Sequence, residues 1–411
     1  MKLILSHPTG NANVRAAADG FYKADHLSRF YTSVAVFSGS FLDNIGALKP
    51  LAEVRRRSFN MDLKPVTKVS PWLEFGRIVA SKAGLSELVR HEKGILSIDA
   101  VYQDIDKRVA ASLKYAIKEG IGAVYAYDDG ALNSFRTAKK LGVKCLYDLP
   151  TGYWRAAREL LEKEKDRWPD WVSTITGFKD SVYKLSCKDE ELRLADAIFV
   201  ASRFTANTLQ YYPGPLAPIH VIPYGFPAVY AKREYLRAAR RRLKVLFVGK
   251  LSQQKGVADL FAAVEGFQNF IDLTLVGHKA CNNCKALDVA LEKHTWIPSL
   301  PHKDILKLMR ENDLLVFPSL FDGFGLVITE AMSQGTPVIT TERTAGPDLI
   351  EDGCNGWLVS AGSVSTLRNA IEKLLLRPKL IAETGRAAME SARIRPWEVY
   401  GQELAKALGR V

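Results

Sequence analysis

Short apolar runs alternate with longer segments of helical period along nearly the whole chain. The runs Lys2–Ser6, Val34–Phe37, Ala123–Tyr127, Lys144–Tyr147 and Ile198–Ala201 read as strands. A second set follows at Val245–Gly249, Leu273–Val276, Leu314–Phe317, Val338–Thr340 and Trp357–Val359. Helical periodicity fills the intervals, for example over Ala131–Leu141, Lys303–Asn312 and Val364–Leu376. This alternation predicts an α/β protein with helices on both faces of parallel sheets. The pattern breaks between Tyr211 and Arg242, where Tyr212-Pro-Gly-Pro-Leu-Ala-Pro218 sustains neither helix nor central strand. A short strand, His220–Pro223, a turn and the basic run Arg240–Arg242 precede a fresh strand at Lys244. Two doubly wound domains facing a central cleft, residues 1–225 and 226–395, are predicted, with an amphipathic helical tail over 396–411.

Composition narrows the class. The chain has 411 residues, enough for two cores, and its 47% hydrophobic and 25% charged content is that of a globular protein. No apolar run is long enough to cross a bilayer, and the first one is too short for a signal peptide. A cytoplasmic protein is expected. Five cysteines are scattered and odd in number, so no disulfide framework is implied. Cys281-Asn-Asn-Cys284 has metal-like spacing, with His278 and His294 nearby, but no second pair completes the ligand set; it reads better as a loop with two free thiols.

A net charge of +12 implies an anionic partner: nucleic acid, lipid headgroups or a phosphorylated substrate. Basic residues concentrate over 49–82, where Trp72, Leu73 and Phe75 interleave with them. Such a segment either rests on an anionic membrane surface or is a solvated helix face. Elsewhere the charge is dispersed, which argues against a nucleic-acid groove.

Candidate chemistry falls at strand ends. Over Phe317–Val338 the pattern is strand, glycine turn, helix and strand. The turn aims free N–H groups and the positive end of a helix at one point, which suits a phosphate. Asp322 stands before the turn, and Glu330 follows two helical turns after it, where its carboxylate can accept from a vicinal diol. Gly323 and Gly325 leave space against the backbone. Lys250 and Lys255 lie in a second strand-to-helix junction, Gly249–Gly256, and suit a diphosphate. Gly10 and Asn11 form a third junction, equally readable as a plain tight turn. Asp148, in Tyr147-Asp148-Leu-Pro150, either meets sugar hydroxyls or caps a helix over Thr151–Glu164.

Together these motifs resemble retaining glycosyltransferases of the GT-B fold, in particular glycosyltransferase family 4. The matching pieces are Val248–Gly256, Pro318-Ser319, Asp322–Ile339 and Glu351–Val359, with Ala195–Ser202 and Val221–Gly225 before them. The resemblance implies two Rossmann-like domains, with the last helix crossing back to the first. It gives Lys250 and Lys255 the donor diphosphate and Glu330 the ribose. The amides of Gly323, Phe324, Gly325 and Leu326 face the transferred sugar and its phosphate, and the backbone from Trp296 to Leu300 meets the base. Gly10 and Asn11 complete the donor side; Tyr147 and Asp148 face the acceptor. Four positions depart from the family pattern: Lys250 for arginine, Asp322 for glutamate, Gly10-Asn11 for paired glycines, and Tyr147 for histidine. The implied enzyme is a hexosyltransferase with a nucleotide-sugar donor and a saccharide or lipid-linked acceptor, working in polysaccharide, lipopolysaccharide or glycolipid assembly. No metal or other cofactor is expected, since Asp104-Ile-Asp106 matches a metal motif in letters only. A nucleotide-sugar epimerase of the same architecture would need an acid–base pair that the sequence does not offer.

Overall fold

Parallel strands covered by helices on both faces read as near-continuous apolar runs, and the sheets here show that pattern. A computed structural model describes residues 1–39, 57–235 and 241–410. The first sheet contains β1 (Lys2–Ser6), β2 (Leu27–Thr32), β3 (Thr67–Val69), β4 (Ile121–Tyr127), β5 (Lys144–Leu149), β6 (Ala197–Val200) and β7 (Ile219–Val221), in the order β3-β2-β1-β4-β5-β6-β7. The second contains β8 (Leu243–Val248), β9 (Ile271–Val276), β10 (Thr295–Ile297), β11 (Leu314–Phe317), β12 (Val338–Thr341) and β13 (Trp357–Val359), ordered β10-β9-β8-β11-β12-β13. The strand pairs within both sheets are parallel, with β8 and β9 in register from Leu243↔Ile271 to Val248↔Val276. The chain reverses its winding between β1 and β4 and again between β8 and β11. Loops diverge at such switch points, and a crevice opens beyond the strand ends. In the second sheet the flanking loops are Gly249–Gly256 and Pro318–Gly325.

Some local expectations need correction. Val34–Phe37 is not a strand; only Val36 makes an isolated bridge, to Ser58, and the strand of that region is β2. The apolar run is nevertheless buried, with Val34 and Val36 packed against Phe75. The helix expected over Thr151–Glu164 runs from Trp154 to Arg167. Residues 49–56 of the basic segment, and Arg240, lie outside the described residues. Asp104 and Asp106 sit in the helix Ile98–Ala116: Asp106 accepts the Asn133 and Ser134 amides at 2.6 and 2.9 Å, and Asp104 pairs with Arg108.

The chain crosses between the sheets at two places, and these run side by side, with Phe226 N donating to Arg395 O at 2.9 Å. The last helix, Trp397–Ala407, then packs on the first helix, Ala12–Lys23. Gly20 and Gly401 face each other there, and a Cβ at Gly20 would overlap the Gly401 carbonyl. Tyr224 joins the parts: its ring packs on Phe324 (4.7 Å), Tyr400 (5.2 Å) and Trp397 (5.9 Å), and its hydroxyl accepts from Asn13. Overpacking a close helix crossing costs about 1–3 kcal/mol. Gly20→Val is therefore expected to lower the melting temperature and expose the C-terminal helix to limited proteolysis; unchanged protease resistance would show that the crossing tolerates a side chain.

Candidate functional site

The glycine turn after β11 is shaped by contacts from both domains. Gly325 adopts φ +81 at the N-cap of the helix Leu326–Ser333, a conformation that excludes most side chains. A Cβ at Gly323 would overlap Pro150 O and crowd Thr151, so the first domain, not open space, fills the room beside it. The Gly323 carbonyl accepts from Ser202 Oγ (2.6 Å) and Thr205 Oγ1 (2.9 Å) of the first domain. Phe324 is buried under Tyr224. The Leu326 and Val327 amides precede the first bond of the helix, from Ile328 N to Gly325 O at 2.9 Å, and Leu326 itself is exposed.

Lys255 reaches this turn. Its ammonium lies 2.5 Å from Asp322 Oδ2, while Asp322 Oδ1 accepts the Phe324 amide at 3.2 Å. Asp322 thus holds both the lysine and the turn. Gly256, at φ +69, packs against the Pro318 carbonyl and brings the lysine loop against the strand that precedes the turn. Lys250 donates to Thr176 Oγ1 at 2.7 Å. Burial, then the charges of Lys179 and Lys255, push the Lys250 pKa down. Ammonium groups gathered in this way favour an anion between them.

Glu330 sits on the same helix, and its Oε1 lies 2.9 Å from His302 Nε2. His302, which the sequence reading passed over, opens the helix His302–Glu311 just past Leu300. Leu300 is half-buried against the core, and Trp296 donates to Gly277 O beneath Lys279. His302 thus links Glu330 to the end of the segment Trp296–Leu300.

The first-domain candidates lie elsewhere. Gly10 is buried, with Arg57 and Phe59 3.0–3.2 Å from where its Cβ would be, so its backbone is covered. Asn11 is exposed at the N-cap of the first helix and makes no side-chain cap bond. Asp148 neither caps a helix nor faces the cleft: it is 3% exposed and accepts from Tyr125 Oη at 2.6 Å. Tyr147, on the opposite face of β5, is buried with its hydroxyl on Asp128 and Glu191. Both are interior residues, because neighbours on a central strand point into the two helix layers. His7, at the end of β1, is buried against Tyr127; burial holds its pKa down to about 4 and the ring neutral.

A segment from the first domain is the part no motif announced. Residues 168–176, a strap that follows the helix Trp154–Arg167, pack on the second domain through Trp168, Trp171, Thr174 and Thr176, whereas Asp180 and Ser181 return to His91, Lys184 and Glu92 of the first. Gln253, fully buried in the lysine loop, donates to Glu164 Oε2 (3.0 Å) and Asp259 Oδ2 (2.8 Å), and Arg167 bridges the same two carboxylates at 2.5 and 2.7 Å. The Gln253 amide donates to Thr174 Oγ1 at 3.0 Å. Cys281 and Cys284 contact Ser173 Oγ and Asp170 O of the strap. His294 stacks on Phe261 instead of joining them. Among the described residues, the group close enough to gather a cation is His91, Glu92 and Asp180, whose atoms already bond one another, Ser181 and Lys184.

Residues 231–391 match the family described as glycosyl transferases group 1. A D-inositol 3-phosphate glycosyltransferase of Segniliparus rotundus is 29% identical over 230 residues, 50% of this chain and 51% of that protein. A glycogen synthase of Mycobacterium tuberculosis is 27% identical over 208 residues, 48% and 50% of the two chains. The chain thus spans about half the length of these curated relatives. Among solved structures, a sucrose-phosphate synthase from Thermosynechococcus elongatus superposes with TM-score 0.65 at 17% identity, covering 100% of this chain and 98% of that one. Anabaena HepE in complex with UDP superposes with TM-score 0.63 at 17% identity, covering both chains in full. At that identity the likeness is one of fold: two Rossmann-like domains in the GT-B arrangement.

Burial holds the Asp148 carboxyl up to about 7, against an ordinary 3.8, although Tyr125 pulls the other way. The bound proton favours the folded protein at low pH, and that contribution is lost as pH rises from about 4 through about 7. Asp148→Asn keeps the acceptor for Tyr125 without the charge. Its melting temperature relative to wild type is expected to rise between pH 5 and pH 8, by the equivalent of a few kcal/mol at ~1.4 per pKa unit. Parallel melting curves at both pH values would mean that the carboxyl titrates normally.

Proposed function

We propose, from the match of residues 231–391 to the glycosyl transferases group 1 family, that the protein transfers a hexose from a nucleotide diphosphate sugar to an acceptor hydroxyl with retention of configuration. The observation that carries the reading is the convergence of Lys250, Lys255 and the open end of the helix Leu326–Ser333 at the switch point of the second sheet. Negative charge grows on the β-phosphate as the glycosidic bond breaks. Two ammonium groups and a helix N-terminus, already in place, stabilise that charge without reorganising. Glu330 accepts the ribose hydroxyls, held in position by His302, and the base lies along Trp296–Leu300. Lys255 exchanges its bond to Asp322 for one to the phosphate, which leaves Asp322 free to accept a hydroxyl of the sugar. These groups do the charge work within the protein, and no metal is assigned to the site. The departing phosphate takes the acceptor proton on the same face.

HepE was solved with UDP and with UDP-glucose, which supports a uridine nucleotide as the first donor to try. The acceptor is a saccharide or lipid-linked saccharide presented at an anionic membrane surface, in envelope polysaccharide or glycolipid assembly. Trp72 (80% exposed), Val79 (65%) and Val69 (53%) stand out on and beside the helix Trp72–Lys82, near exposed Lys64 and Lys68. Arg57 and Arg77 are tied to buried Glu74 and add little to that face. Among the described residues no helix is long and apolar enough to span a membrane.

Lys255→Ala is expected to slow turnover by about 100–1,000-fold, the loss typical of one oxyanion donor, in an assay of sugar release from UDP-, GDP- and ADP-sugars. Turnover near the wild-type rate would remove Lys255 from the reaction. Vesicles with anionic lipid should sediment the wild-type chain better than neutral ones and better than Trp72→Ala; equal sedimentation would end the membrane reading.

A further inference from the structure

Tyr147 and Asp148 are interior, so other first-domain groups must receive the acceptor. A cavity of about 190 Å³ lies where the two domains meet. On the first-domain side it is walled by Thr151 and Gly152, by Ala157 of the helix Trp154–Arg167, and by Gly177 and Phe178 just past the strap. On the second-domain side stand Gln254 and Phe321. These two residues directly precede Lys255 and Asp322, which bond each other at 2.5 Å. They are joined in the same way: Gln254 Nε2 donates to Phe321 O at 3.2 Å, and the Phe321 ring packs on Gly152. The cavity therefore adjoins both the lysine loop and the glycine turn.

Its lining has two characters. The floor is apolar, since Leu161 and Phe321 belong to one small buried cluster with Phe178 packed against it. The rim carries unspent neutral groups. Among the described residues neither the Thr151 hydroxyl nor Gln254 Oε1 has a hydrogen-bond partner. Gln254 Oε1 stands 3.4 Å from where a Cβ at Gly177 would be, so the glycine leaves it uncovered. The charged groups at the cavity are already engaged: Asp180 by His91 at 2.8 Å, Lys188 by Asp128 at 2.8 Å, and Arg158 over the Trp154 ring at 5.0 Å. An apolar floor with a few neutral polar groups, set at a domain boundary, suits a small ligand with C–H faces and hydroxyl edges. We propose that this cavity is the acceptor subsite and holds one uncharged hexose ring of the acceptor saccharide beside the Lys255–Asp322 pair. This rests on the donor reading above, and the experiment separates the two.

Ligand-observed NMR saturation transfer on the full chain, with UDP, GDP or ADP added, reads binding of the methyl glucosides, galactosides and mannosides of both anomers. Wild type is expected to bind at least one of them. Ala157→Phe, which fills the cavity from the helix, should abolish that signal. Thr151→Val, which keeps the shape and removes the hydroxyl, should weaken the same hexoside about three- to tenfold, one neutral hydrogen bond. In transfer assays Thr151→Val should raise KM for that hexoside with little change in kcat. Asp166→Asn, at an exposed position on the same helix outside the cavity, is the control and should match wild type. If wild type binds a nucleoside diphosphate but no hexoside, or if Ala157→Phe binds the hexoside as wild type does, the acceptor subsite is overturned and the donor reading stands. If wild type binds no nucleoside diphosphate, the donor reading is overturned, and the subsite with it.

Discussion

Gln253 has no exposure to solvent and uses every hydrogen-bonding group of its side chain. Its amide nitrogen ties Glu164 of the first domain to Asp259 of the second, and its oxygen receives the Ala258 amide that begins the following helix. Arg167 neutralises the two carboxylates. A buried carboxylate pair is costly without such complete satisfaction, and removing one member leaves the others stranded. This knot fixes the lysine loop to the strap. The position of Lys250 and its contact with Thr176 follow from it.

The two domains also touch at the glycine turn. Phe321 occupies the space beside Gly152, Pro150 and Thr151 that beside Gly323, and Ser202 and Thr205 hold the Gly323 carbonyl. These contacts join loops at the tips of the two sheets. The strap is packed into the second core instead. Packing is therefore divided differently from the order of the chain. Tyr224 and the paired crossings at Phe226 and Arg395 join the two sheets a second time.

Much of the fold was legible. Strands such as Leu314–Phe317 and Trp357–Val359 are continuous apolar runs because both faces are covered. β2 escaped notice because Ser28 and Arg29 interrupt its apolar pattern, whereas Val34–Phe37 imitated a strand through burial alone. Asp148 and Tyr147 were misread for a related reason. A polar residue at a strand end looks available in sequence, yet Tyr125 contributes a buried hydroxyl partner from a neighbouring strand and turns Asp148 inward. The strap left no motif at all: Thr174 and Thr176 are ordinary surface types until their distant neighbours are known.

What the sequence determined by itself was local: the strand–turn–helix junctions, the glycines whose left-handed φ the turns require, and the lysines and acids beside them. These depend on backbone conformation within a few residues, and residue type reports that directly. The tertiary structure decided which of these groups meet. Lys255 with Asp322, Glu330 with His302 and Gln253 with Glu164 are separated by 67, 28 and 89 residues. The choice among such pairs is made by sheet order and by the need to satisfy buried charge. Neither is written at any single position.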